Sequence, residues 1–369
     1  MKSLILMLVV TAYSFAGTRQ TDSLAVIDLN RNGMGFDKTK PMEEWDFIKI
    51  RNNRVVYFSR TLNEIYESVC SLDSLSSLSV KFDSKKVGVP DCLSSLNQLD
   101  TVKFLNSNLT EIPFILYQMT NLNYLDLSDN DITYISDSIG QLTQLKQLGL
   151  NNNKLTHLPD SLWVLNELLG LGLTDNNIDS LSPQIVNMEK LLSISVGKNF
   201  GIKVPDLTGL DSLFHLDLAQ TGLLELGEWV GNLPSLTSLD LYDNELQNLP
   251  LSLGASYKVL SYLELSQNRL RRENMDAFYD ARFPKGMHWI DDVDADWPTT
   301  QKDVIVNVFS NPKSSISLSE EVSVYTFLGQ KVFQGFYGEF KNRASKTLFT
   351  GNYVLKYSNK QRVYVVKSE

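Results

Sequence analysis

His215 and Asp217 stand two residues apart, the spacing that places both side chains on one face of a β-strand. A histidine beside a carboxylate can act as a general base. Such a base needs a nucleophile at matched spacing. One repeat earlier stand only Ser193 and Ser195, in a chain where serine is common. We read the pair as a ligand contact and the chain as no enzyme. HExxH, GxSxG and the phosphate loop GxxxxGKS/T do not occur. Gly170-Leu171-Gly172 imitates a glycine-rich loop, but both glycines fall on a strand face, where packing explains them better.

Metal chemistry finds little support. Asp28-Leu29-Asn30-Arg31-Asn32-Gly33 matches the first half of a calcium loop, yet Thr39 stands where the bidentate Glu belongs. Asn-Gly also makes a tight turn by itself. The acidic run Asp291–Asp296 reads as a solvated linker. With only three His and two Cys, a Cys/His zinc cluster is nearly excluded. No cofactor is expected. Cys70 and Cys92 lie 22 apart, and in an oxidising compartment they form either a disulfide or two buried thiols.

The elements that position these residues emerge from composition. The 369-residue chain is 43% apolar and 21% charged, enough to bury a sizeable core. It carries 34 basic and 43 acidic groups, a net charge of −9, which disfavours nucleic acid as a partner. Of its 57 Leu, 46 lie between residues 75 and 282, so repeats come first. The N-terminus has Lys2, an apolar run from Leu4 to Ala12, then Ser14-Phe15-Ala16. That describes a signal peptide over 1–16, cut after Ala16; the run is too short for a membrane span, and the mature chain is expected to have none.

Leu122, Leu125, Leu127, Asn130 and Ile132 spell LxxLxLxxNxI. The pattern returns 23 residues on at Leu145, with Asn153, and again at Leu168, with Asn176. Nine coils start at Leu75, Leu99, Leu122, Leu145, Leu168, Leu191, Leu213, Leu236 and Leu260. Of 36 expected apolar positions 34 are filled; Lys85 and Gly201 are the exceptions. LxL is a short strand with its Leu pointing inward. The Asn position continues through Asn199, Asn244 and Asn268, and an amide there can serve the buried backbone of adjacent coils. One coil cannot bury its own apolar face, so the coils stack.

In these residues and their spacing, 75–282 resembles the leucine-rich repeat family in its 23-residue bacterial form. The resemblance implies an α/β fold: a right-handed solenoid with a concave parallel β-sheet and a binding role more often than an enzymatic one. Residues 17–74 would hold an N-terminal segment and capping coil, with Ile48, Ile50, Asn53 and Val55 in register and a helix from about Leu62 to Leu72. Residues 283–302 would hold a C-terminal cap and acidic linker.

The tail is different. Leucine nearly vanishes after 302, and 303–369 carries nine basic and five acidic groups, +4, leaving −14 for 17–302 once Lys2 is removed. Apolar and polar residues alternate, with turns at Asn311-Pro312, Gly329 and Gly351, as in a small C-terminal antiparallel β-sandwich domain. Phe309-Ser310-Asn311-Pro312, Leu328-Gly329-Gln330-Lys331-Val332 and Gly351-Asn352-Tyr353-Val354-Leu355-Lys356 are similar to the motifs of the type A sorting domain of type IX secretion. Ser310 departs from the family's first Pro. The resemblance implies the type IX machinery as a partner, and a place outside a Gram-negative cell, secreted or on its outer surface. The alternative is an adhesive β-domain that stays on the protein.

The register also indexes the concave face. Its C-terminal third carries His215, Asp217, Asp240, Tyr242, Asp243, Tyr262 and Glu264. Tyr supplies rigid contact area and acid steers a basic partner. Nine strands at about 4.8 Å give roughly 40 Å of sheet, which suits a protein or peptide ligand. A structural cell-envelope component is the runner-up reading, and an enzyme the third.

Overall fold

The computed structural model describes residues 48–51, 54–62, 64–82, 88–255, 260 and 262–270, and the backbone of 305–307, 321–326, 331–336, 351–357 and 360–366. The expected signal peptide over 1–16, the 28–33 motif, the 291–296 run, Asn311-Pro312 and Leu328-Gly329-Gln330 lie outside the described residues. The chain divides into two compact units, Met1–Ile132 and Thr133–Glu369.

In the first unit, β1 (Ile48–Arg51) and β2 (Arg54–Leu62) form an antiparallel hairpin. Then β3 (Ser77–Phe82), β4 (Thr101–Lys103) and β5 (Tyr124–Asp126) add in parallel order. The expected first coil is thus a hairpin that starts the sheet. Val55 and Phe58 of β2 are fully buried. The helix expected from Leu62 to Leu72 is a five-residue 3-10 turn, Glu67–Ser71. The run Val-Val-Tyr-Phe favours strand, and β2 extends to Leu62 at the helix's expense. Cys70 and Cys92 are disulfide-bonded, with Cα atoms 5.9 Å apart, and join this turn to the next one, Asp91–Ser95.

In the second unit six strands run parallel: β6 (Gln147–Gly149), β7 (Gly170–Gly172), β8 (Ser193–Ser195), β9 (His215–Asp217), β10 (Ser238–Asp240) and β11 (Tyr262–Glu264). The chain returns from each strand mostly through short 3-10 turns, such as Asp160–Val164 and Pro183–Asn187. Between strands and turns lie Leu148, Leu150, Leu171, Leu173, Ile194, Leu216 and Leu239, each at most 1% exposed. Beyond β11, β12 (Ile305–Asn307) pairs with it antiparallel. Four further strands, β13 (Glu321–Thr326), β14 (Lys331–Phe336), β15 (Gly351–Tyr357) and β16 (Lys360–Val366), form one antiparallel sheet in the order β14-β13-β15-β16. The second layer that a sandwich requires is not among the described residues.

Two devices turn each coil. The eighth residue adopts left-handed backbone: Asn106, Asp129, Asn152, Asp175, Lys198, Gln220, Asp243 and Gln267 all have φ between 48° and 60°. Asn and Asp tolerate that conformation; Lys and Gln adopt it at a cost. In most coils the ninth residue bonds back to the coil before it. Asn176 Oδ1 accepts from the Leu155 N–H (3.0 Å), and its Nδ2 donates to the carbonyls of Leu150 and Leu173. Asn130, Asn199, Asn244 and Asn268 repeat the pattern. The Asn153 amide donates to Leu150 O. Where the ladder has Thr221, its hydroxyl donates to Leu218 O.

Candidate functional site

Strand pairing in the second unit sets the acidic residues in one row. Asp217 is opposite Asp240, and Asp240 is opposite Glu264. The row beside it reads His215, Ser238, Tyr262 in the same register. Adjacent strands lie about 4.8 Å apart, so three carboxylates share one short column.

Each acid is held differently. Asp217 accepts from the Ala219 N–H (3.0 Å) and from the Thr174 hydroxyl (3.3 Å), which lies two coils back. It reaches Thr174 by lying over Gly197, where a Cβ would meet its Oδ1 at 2.8 Å. Asp240 accepts from the Tyr242 N–H, 3.0 Å. Glu264 accepts from the Ser266 N–H (3.0 Å) and hydroxyl. Burial, then the neighbouring Asp217 and Glu264, push the Asp240 carboxyl up to about 7, against the Tyr242 N–H that lowers it. Burial raises Asp217 as well, opposed by its bonds to Ala219 and Thr174. Burial and the same three acids raise the Tyr262 phenol.

The structure corrects one expectation. These side chains leave the core, but most are covered. His215 is 3%, Glu264 6% and Tyr262 9% exposed. Side chains on strands so close together shield one another. His215 Nδ1 faces the Ser238 hydroxyl at 3.0 Å, and burial holds its ring down at about 3. An imidazole with so little basicity is a weak general base at neutral pH. Tyr242 is 37% exposed, and Asp243, on the exposed turn beside it, accepts from Gln220. These two are the open members of the set.

The roles of Thr174, Ser238 and Gly197 were not anticipated. The run of small residues at the seventh position of the coils was the available signal, since it leaves room for a carboxylate to lie down. The glycine pair is explained by packing: a Cβ on Gly170 would collide with Gln147 Oε1, and one on Gly172 would meet Asn151 Nδ2 at 2.8 Å. His157 is solvated, and pairs with Asp179 at 3.2 Å. In the first unit, Lys103 Nζ lies 4.6 Å from the Tyr124 ring centroid, and the Tyr124 hydroxyl donates to Asp126. Among the described residues no three His, Cys, Asp or Glu could hold a metal ion. None of the described helices is long and apolar enough to cross a membrane.

This geometry, short parallel strands on a repeating Asn ladder, defines a class of repeat protein, and comparison with known proteins gives its name. Residues 98–155 and 120–178 match the family model for the leucine rich repeat, so the chain carries leucine-rich repeats. No curated protein matches its sequence. Among solved structures it is similar to a plant ice-binding protein, at 19% identity and a TM-score of 0.50, covering 69% of this chain and 95% of that one; this likeness shows the fold. It also matches the ectodomain of the membrane receptor kinase GASSHO1/SCHENGEN3 from Arabidopsis thaliana, in complex with CASPARIAN STRIP INTEGRITY FACTOR 2, at 26% identity and a TM-score of 0.49. That match covers 57% of this chain, which spans only 26% of the ectodomain. A leucine-rich repeat protein of Leptospira interrogans matches at 20% identity and a TM-score of 0.34, covering 63% of this chain and 75% of that one.

Proposed function

We propose that this is a secreted or cell-surface protein of a Gram-negative bacterium, which binds a basic protein or peptide through the sheet face of its C-terminal coils. It performs no catalysis. Residues 1–16 direct export, and 303–369 act as the type IX sorting domain.

The observation that carries the reading is the column Asp217–Asp240–Glu264. Burying three carboxylates in register destabilises the fold, which fills the same row with Gly149, Gly172 and Ser195 in the preceding strands. Strain kept at one place on a surface supports selection for binding. Tyr242 and Asp243 give a partner exposed area beside the column.

The test is capture of partners from cell-surface and host extracts by the mature chain, beside a Tyr242→Ala, Asp240→Ala, Tyr262→Ala variant. Capture that the variant loses supports recognition at this face. Equal capture by both chains moves the site elsewhere, and no capture favours a structural role in the cell envelope.

A further inference from the structure

β11 ends the parallel stack of the second unit, and an end strand leaves backbone donors and acceptors open to another strand. The inner hydrogen bonds show which groups face outward. The Tyr262 N–H donates to Thr237 O, and Glu264 O accepts from the Leu241 N–H, both at 2.9 Å. These groups face β10. Backbone groups alternate sides along a strand, so the Leu263 N–H and C=O point to the outer edge. β12 lies along that edge, with Val306 directly opposite Leu263, Asn307 opposite Tyr262 and Ile305 opposite Glu264. Leu263–Val306 is therefore the hydrogen-bonded pair of a short antiparallel ladder.

The strand that fills the edge belongs to 303–369, the segment read above as a sorting tail. We propose that the outer edge of β11 is a strand-acceptor site. In the intact chain Ile305–Asn307 occupies it. When those residues are displaced from it, it takes an extended, antiparallel peptide segment of the binding partner. The segment it fits carries Lys or Arg opposite Glu264, because opposite charges directly across an antiparallel pair stabilise it. This inference rests on the recognition reading: β11 carries Tyr262 and Glu264, so an added strand would lie against the acidic column.

The test uses the full mature chain, its Val306→Pro variant, and two synthetic peptides: residues 303–309 and the same peptide with Ile305→Lys. Proline removes the N–H that Val306 offers to Leu263. Hydrogen exchange over 262–265 should accelerate about tenfold in the variant, while 193–195 stays protected. The variant should bind both peptides, the lysine peptide about threefold more tightly, and the parent chain should bind neither measurably. Equal exchange at 262–265 in both chains, or no peptide binding by the variant, overturns the proposal. So does accelerated exchange at 193–195, because β12 would then be a folding element rather than an edge cover. None of these readouts needs the natural partner, so a failed capture experiment and a failed edge experiment are distinguishable.

Discussion

Replacing Asp240 by Asn should make the protein more stable, and by an amount that depends on pH. Asp240 sits between Asp217 and Glu264 with its carboxyl pushed from 3.8 to about 7. The sign follows from linkage. A carboxyl whose affinity for protons rises on folding favours the folded state when protonated. That contribution is fully present below about pH 4 and is lost as pH rises through about 7. At about 1.4 kcal/mol per tenfold change in proton affinity, the shift from 3.8 to about 7 corresponds to about 4 kcal/mol, nearer 3 once solvent screening at this half-buried site is allowed for. Asparagine cannot ionise, and its carbonyl still accepts from the Tyr242 N–H. The assay is urea unfolding followed by tryptophan fluorescence, parent beside Asp240→Asn, from pH 4 to pH 8.5. The two should unfold at similar urea concentrations at pH 4, and the variant should lead by about 3 kcal/mol at pH 8.5. A gap that does not change with pH, or a variant weaker at pH 8.5, would refute the argument that burial and like charge strain the column.

Other consequences can be checked with the same protein. A basic peptide captured by the column favours ionised Asp240, so its affinity should rise between pH 5.5 and pH 8.5; a flat titration calorimetry series would contradict this. Reducing Cys70–Cys92, which closes a loop of separation 22, should lower stability by about 3 kcal/mol on unfolding in dithiothreitol, and a Cys70→Ser, Cys92→Ser variant should ignore the reductant. Asn176→Ala leaves the Leu155 N–H and two carbonyls without their partner and should cost about 3 kcal/mol, against about 1 kcal/mol or less for the solvated Asn177→Ala, measured by the same unfolding curves.

The sequence was most informative where the physics repeats. Leu at the first, fourth and sixth positions and Asn at the ninth fixed the strands of the middle coils, because each answers the same two needs, an apolar face to bury and a backbone to satisfy. The first coil was harder. Ile48 and Val55 keep the spacing, but a hairpin and a parallel coil bury such residues equally well, and only pairing partners separate them. At the site, the register put Asp217, Asp240 and Glu264 in one row. It could not tell that His215 would turn to Ser238, or that Asp217 would cross Gly197 to reach Thr174, since side-chain direction depends on neighbours some 20 to 40 residues away in sequence. The placement of Ile305–Asn307 was hidden for a related reason. Alternation announces a strand and says nothing of which edge receives it.

The Asn ladder gives the chain a direction of completion. Asn176 serves the Leu155 N–H and Leu150 carbonyl of the coil before it, and Asn199 serves Ile178 and Leu173 in turn. The turn of such a coil is therefore closed by an amide of its successor. During synthesis or export from the N-terminus, the newest coil always waits with unsatisfied donors, and order advances one coil behind the emerging chain. A break after a given coil then takes from the piece on its N-terminal side the amide that closed its last turn.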